Sequence, residues 1–213
     1  MVFNSLTFLA FFAIVLALHR LPFPWTTKKL NLLVASYVFY AAWNPPFVLL
    51  LWISTAIDWI AARRVYEAQT PARRRAWLVL SLAANLGFLG FFKYGEFLLQ
   101  NWQSLMSAVG VVYAPPAWDI VLPVGISFYT FQTMAYTLDV YLGRAKPLGS
   151  LLDFSLFVTF FPQLVAGPIV RPTQLVPQFA TPKQATRDQM LWGLGLVVLG
   201  LFEKIVLADG GLA

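Results

Sequence analysis

Apolar residues in this chain come in blocks about as long as a bilayer is thick, and one block is broken in its middle. From Leu122 to Arg171 the sequence reads LPVGISFYTFQTMAYTLDVYLG, a basic turn, then LLDFSLFVTFFPQLVAGPIVR. The first part is long and apolar enough to cross a membrane, which takes about 20 residues of helix. The second starts like a membrane helix and is interrupted at Pro162, Gly167 and Pro168. Lipid offers no partner for the N–H and C=O groups that an interruption frees, so such a break persists only inside protein or beside a wet cavity. The break is therefore the first place to look for a site.

Of the 213 residues, 59% are hydrophobic and only 11% charged, less than half of the roughly 25% charged in a soluble domain. The pattern predicts an all-α, polytopic helical membrane protein. Residues 1–213 form one membrane domain of six or seven spans, with an interfacial helix and a broken re-entrant segment. No stretch is polar enough to coat a large water-facing domain. The net charge of +6 resides in short loops, where Lys and Arg orient a protein in the bilayer. The bilayer is thus the expected partner, and with no soluble basic face nucleic acid is not. The absence of cysteine excludes disulfides, thiolate metal sites and a cysteine nucleophile.

The expected spans are Val2–Leu21, Leu30–Trp43, Pro46–Ala62, Ala76–Phe92, Leu122–Leu142 and Met190–Ala208, with the broken segment at Leu151–Val170. The first lacks a basic leader and a small-residue cleavage site, so it reads as a retained span. Ala83 and Gly87 form a small-xxx-small pair that favours close helix packing. Between Phe97 and Val112, Leu98, Trp102, Leu105 and Val109 share a helical face opposite Gln100, Asn101 and Ser104. This predicts an amphipathic helix lying along the surface, followed by an interfacial turn at Tyr113, Pro115, Pro116 and Trp118. Proline and glutamine between Arg171 and Arg187 predict a polar loop. With the N-terminus outside, Phe97–Val112 not crossing and the broken segment returning to the side it entered from, nearly every Lys and Arg faces the cytoplasm, Lys93 being the main exception.

Candidate functional side chains gather on two segments. Tyr129, Gln132 and Thr133 share one side of the Leu122–Leu142 span, and buried amides and hydroxyls need protein or water to face. Gln163, Gly167, Pro168 and Arg171 lie at or beyond the break, where Arg171 can reach freed carbonyls, a phosphate or an acyl thioester. Together these seven are the expected lining of a substrate site, with helix-to-helix packing the competing role for the first three. His19 is the only histidine; one imidazole cannot build a multi-His metal site, and it reads as an interfacial side chain. Asp58 is an acid inside a span, a functional-site hypothesis by default, but the nearness of Arg63 predicts an ion pair by the headgroups. Asp139 and Asp153 are expected to pair with the Arg144–Lys146 turn or to cap helices. Residue spacing alone stops at a multi-span membrane protein with one broken helix lining a cavity. Asp58 and the polar face of the Leu122–Leu142 span leave half of a small-molecule transporter open, and a non-catalytic membrane scaffold as well. No fixed-period repeat or matched pair of broken helices marks an inverted-repeat transporter.

Six segments in order, MVFNSLTFLAFF, NLLVASYVFYAAWNP, GFFKYGEF, LPVGISFYTFQTMAYTLDVYLG, LLDFSLFVTFFPQLVAGPIVR and GLFEKIVLAD, resemble the membrane-bound O-acyltransferase family. The match is with the branch that serves alginate O-acetylation and D-alanyl transfer to teichoic acid. The resemblance implies a ring of helices around a funnel in the bacterial inner membrane, with the seven candidate residues in the funnel wall. It implies transfer of an acyl group, often acetyl, from acetyl-CoA or another acyl thioester to a hydroxyl of an exported polysaccharide such as alginate. The donor is a substrate, with no bound cofactor or metal expected. It also implies partners among the membrane or periplasmic proteins of polysaccharide export and acetylation. The family's catalytic histidine lies downstream of the segment matching GLFEKIVLAD, and His19 does not correspond to it. On this reading the chain is an N-terminal portion without a catalytic residue of its own, inactive and poorly stable alone.

Overall fold

The computed structural model describes residues 3–111, 121–165 and 167–211. The expected turn at Tyr113–Trp118 lies outside them. The described residues form helices and connecting turns: α1 (Leu6–Arg20), α2 (Trp25–Ala41), α3 (Phe47–Glu67), α4 (Pro71–Ala108), α5 (Ile126–Tyr141), α6 (Leu151–Thr159), α7 (Phe161–Leu164), α8 (Pro172–Ala180) and α9 (Arg187–Phe202). A π-helical stretch, Glu203–Ala208, and a last turn, Asp209–Gly211, continue α9.

Local chemistry sets the helix starts. Side-chain oxygens of Ser5, Thr70, Ser150 and Thr186 accept from the backbone N–H of Phe8, Arg73, Asp153 and Gln189, taking up donors that have no partner within the helix. Pro71 and Pro172 occupy first-turn positions, where a missing N–H costs nothing. Helix α5 begins only at Ile126, with Gly125 as its cap at φ 73°. A Cβ on Gly125 would stand 2.4 Å from the Leu164 carbonyl oxygen, so only glycine lets the start of α5 touch the end of α7.

The core is the α3–α4–α5 trio, with α2 and α6 packed beside it. Leu51, Ala62, Val65, Tyr136, Val140, Phe154 and Phe157 lie in one buried cluster. A second joins α1, α2 and α7, where Phe8, Phe11 and Phe12 meet Phe39 and Phe161 with ring centroids 5.3–6.4 Å apart. Cross-links define one end of the bundle. Arg74 donates to the Tyr141 carbonyl (2.7 Å), Lys29 pairs with Asp153 (2.6 Å), and the Arg20 side chain reaches the Met190 sulfur. Arg63, Arg64, Arg73–Arg75, Arg144 and Lys146 lie on helix ends and turns there. Lys93 stands at the other end, 3.3 Å from Ser127.

Among the described residues two helices are long and apolar enough to cross a membrane, α4 with 38 residues and Arg187–Gly211 with 25. No residue of α9 is buried. Three expectations change here. In place of a separate interfacial helix at Phe97–Val112, residues 97–108 continue α4, a rod of about 57 Å at 1.5 Å per residue. No proline interrupts it, and its polar residues bond along the helix: Asn101 to the Phe97 carbonyl (2.7 Å) and Ser104 to that of Gln100 (2.9 Å). The apolar stripe remains exposed at Leu98, Trp102, Leu105 and Val109. The small pair Ala83 and Gly87 is also exposed, and a Cβ at Gly87 would touch nothing within 4 Å. The polar loop after Arg171 contains α8, because Pro172, Leu175 and Phe179 fall on one face and are buried.

Candidate functional site

The break falls where the prolines predict it. Helix α6 stops at Thr159, α7 spans Phe161–Leu164, and the chain turns at Gly167 with φ 119° before α8 begins. Both ends of this segment return to the first turns of α2. Lys29 holds Asp153 at the start of α6, and Trp25, one turn earlier, donates to the Phe179 carbonyl near the end of α8 (2.7 Å). The segment is thus a hairpin that enters the bundle, breaks, and leaves by the same end.

The break separates a donor from its normal acceptor, and side chains serve both. In an unbroken helix the Phe161 N–H would bond the Phe157 carbonyl. Here it donates to Ser36 on α2 (3.2 Å). The Phe157 carbonyl, on a residue with 0% exposure, instead accepts from two amides: Gln132 on α5 (2.7 Å) and Gln163 on α7 (2.8 Å). Buried backbone groups left unpaired are costly, so these three side chains hold the break open inside protein.

From Thr133, the residue after Gln132, the polar side chains serve one another. Three consecutive helices each contribute an i, i+4 pair: Ser54 and Asp58 from α3, Ser81 and Asn85 from α4, Thr133 and Thr137 from α5. All six are at most 1% exposed. Asp58 accepts from Ser81 (2.5 Å), from the Asn85 amide at both carboxylate oxygens (3.0 and 2.8 Å) and from Thr137 (3.4 Å). Asn85 accepts in turn from Ser54 (3.2 Å) and Thr133 (3.4 Å). The expected Asp58–Arg63 ion pair does not form: the Arg63 guanidinium lies 4.4 Å over the Trp59 ring instead. Asp153, which was expected to pair with the Arg144–Lys146 turn or cap a helix, pairs with Lys29 on α2. At Asp139 it is the backbone carbonyl that receives that turn, from Arg144 and Ala145 N–H (2.8 and 3.2 Å).

The seven expected site residues therefore divide. Gln132 and Gln163 meet at the Phe157 carbonyl. Thr133 belongs to the Asp58 cluster. Tyr129 is 2% exposed, and its hydroxyl makes no well-aligned hydrogen bond; its polar neighbour is Tyr40, which donates to the Val124 carbonyl (3.1 Å). Gly167, Pro168 and Arg171 are exposed beyond the break, with Arg171 capping α8. His19 lies edge-on to Trp25, 5.8 Å between centroids, with no hydrogen bond at Nδ1. Among the described residues no group of three or more His, Cys, Asp or Glu side chains could hold a metal. Sequence reasoning missed Ser36, Asn85 and Ser81. The i, i+4 polar pairs on three successive apolar blocks were the signal for the last two.

The sequence that folds in this way aligns with known proteins. Over 98% of its length the chain is 37% identical to a probable alginate O-acetylase of Pseudomonas aeruginosa and 36% identical to one of Azotobacter vinelandii. Over 85% of its length it is 36% identical to a peptidoglycan O-acetyltransferase of Helicobacter pylori. This chain belongs to the membrane-bound O-acyltransferase family. It spans about two fifths of the length of these relatives, 38–42%. Membership rests on the relatives, since no family model and no solved structure matches. The break thus lies in a segment shared with O-acetylases.

Proposed function

We propose that this chain forms the N-terminal part of a membrane enzyme that moves an acetyl group from a thioester donor, acetyl-CoA or another acyl thioester, to a hydroxyl of an exported polysaccharide such as alginate. The observation that carries this is the 36–37% identity to two alginate O-acetylases across almost the whole chain. A peptidoglycan O-acetyltransferase at the same identity points to the shared chemistry, a sugar hydroxyl outside the cytoplasm. The seven candidate residues contribute scaffold more than chemistry. Gln132 and Gln163 fix the break, and Gly167, Pro168 and Arg171 form its rim. The base that deprotonates the acceptor hydroxyl is supplied by another part of the enzyme. Membrane or periplasmic proteins of polysaccharide export are the natural partners.

The same reading sets the protein in the bacterial inner membrane with six or seven spans. The Arg- and Lys-rich end faces the cytoplasm, the N-terminus faces outside, and the hairpin at Leu151–Ala180 re-enters from the cytoplasmic side. The absence of cysteine makes this testable with single-cysteine variants. Cysteine at Ala68 should react with a membrane-impermeant maleimide only in inverted vesicles, and cysteine at Asn4 only in intact cells. The opposite pattern rejects the orientation. For the activity, full-length protein in proteoliposomes given labelled acetyl thioester and polysaccharide should place label on the polymer in alkali-labile ester linkage. No transfer with any thioester would reject the assignment.

A further inference from the structure

The cluster between α3, α4 and α5 contains one acid and no base. Asp58 has 0% exposure, and its partners Ser81, Asn85 and Thr137 are all uncharged. Among the described residues the ion pairs are Lys29–Asp153 and Lys204–Asp209, and neither touches it. On its own helix the next cation, Arg63, is turned onto Trp59. From α5 the titratable group near it is Tyr136, whose hydroxyl accepts from Leu148 N–H (2.9 Å). The groups that reach it from α4 and α5 are the hydroxyls of Ser81 and Thr137 and the amide of Asn85, and no ion pair among the described residues involves it. A carboxylate sealed away from water, with no counter-charge, is among the least tolerated states in a protein interior, and such a group is neutralised instead.

A small monovalent cation must therefore balance the charge, and packing decides which. The polar atoms already stand in hydrogen-bond contact, 2.5–3.4 Å apart. The Asn85 amide nitrogen sits against both carboxylate oxygens at 3.0 and 2.8 Å, where a sodium ion would have to lie. A proton needs no such room.

We propose that the Asp58 cluster is a proton-binding site, in which the carboxyl holds one exchangeable proton and joins α3, α4 and α5 as a neutral acid. Binding adds one O–H bond at Asp58 Oδ1, which then donates to the Ser81 oxygen in place of accepting from it, and cancels one negative charge. Loss of the proton to water places that charge among five neutral side chains and loosens the three helices. The site is sealed inside the described fold and is separate from the helix break, so it stands whether or not the acyl-transfer reading does.

The test is infrared spectroscopy of the full-length protein in detergent, in H2O and in D2O. Wild type should show a protonated-carboxyl C=O band that shifts in D2O and is missing from Asp58→Asn. Asn is nearly isosteric and neutral, so this variant should melt within a few degrees of wild type. It should also lack the destabilisation that wild type shows as pH rises. If Asp58→Asn does not fold, wild type labelled with 13C-aspartate decides the question, because the band must then shift with the label. A wild type without any protonated aspartate band overturns the proposal. So does a melting temperature raised by sodium over potassium in wild type but not in Asp58→Asn, which would make the cluster a metal-ion site.

Discussion

The α3–α5 trio and the α6–α8 hairpin solve the problem of burying polar groups in opposite ways. In the trio the backbone is intact, each helix satisfies its own ladder, and six polar side chains answer one another across three helices. In the hairpin the backbone is interrupted, and side chains from α2, α5 and α7 answer the freed backbone groups. The first arrangement shares its load over many contacts. The second concentrates it on one carbonyl, Phe157, one N–H, Phe161, and one close approach at Gly125. The hairpin should therefore be the region where single changes act most sharply, and the trio the region where isosteric changes are absorbed.

Gly125→Val should produce the largest effect. It forces a β-branched residue to positive φ and drives a Cβ into the Leu164 carbonyl, a loss of about 3 kcal/mol or more from strain and overpacking combined. Melting in detergent, or the yield of monodisperse protein, reads this; a wild-type melt would mean the α5–α7 contact is not as close as described. Asn85→Leu comes next. It removes the residue that links Ser54, Asp58 and Thr133, at about 2 kcal/mol, since single hydrogen bonds in membrane proteins average about 0.6 kcal/mol and several go at once. If it cost less than a single-bond change, the cluster would not be acting as a unit.

Gln132→Leu and Gln163→Leu sharpen the contrast. Each alone should cost about 0.6 kcal/mol, because the other amide still serves the Phe157 carbonyl. Together they should cost more than their sum, about 2 kcal/mol, because the carbonyl is then orphaned. Strict additivity in the double-mutant cycle would show that the two amides do not share that acceptor. The smallest effect belongs to Lys29→Ala, about 0.5 kcal/mol, since the Lys29–Asp153 pair is only partly buried. This loss should shrink in high salt, which a pair sealed from solvent would resist.

The helical blocks and the break were legible from sequence because they rest on local chemistry. Apolar runs of span length have few alternatives, and proline removes a donor wherever it stands. The partners across the break were only half legible. Gln132 and Gln163 stand out as polar residues in apolar company, but nothing in their spacing says that both serve the Phe157 carbonyl, and Ser36 gives no such signal at all. Asp58 was misread because Arg63 is near in sequence, whereas its real partners lie 23, 27 and 79 residues away. The Lys29–Asp153 pair, 124 residues apart, is likewise invisible to local reasoning. The polarity change after Lys93 suggests an end of α4 that the structure does not have. A change of polarity alters what a helix faces, and only a lost donor or a strained φ ends it. In α8 the reverse happened: Pro172 and Pro177 outweighed a clear Pro172–Leu175–Phe179 face.

The most direct test of the acyltransferase reading is the O-acetyl content of the exported polysaccharide in cells that lack the gene, complemented by full-length wild type or by the Gln132→Leu/Gln163→Leu double variant at matched membrane levels. Deletion should abolish acetylation and wild type should restore it. The double variant should restore a tenth or less, because the break is then no longer held. Unchanged acetylation in the deletion strain would contradict the assignment of function, and full restoration by the double variant would contradict the place given to the break.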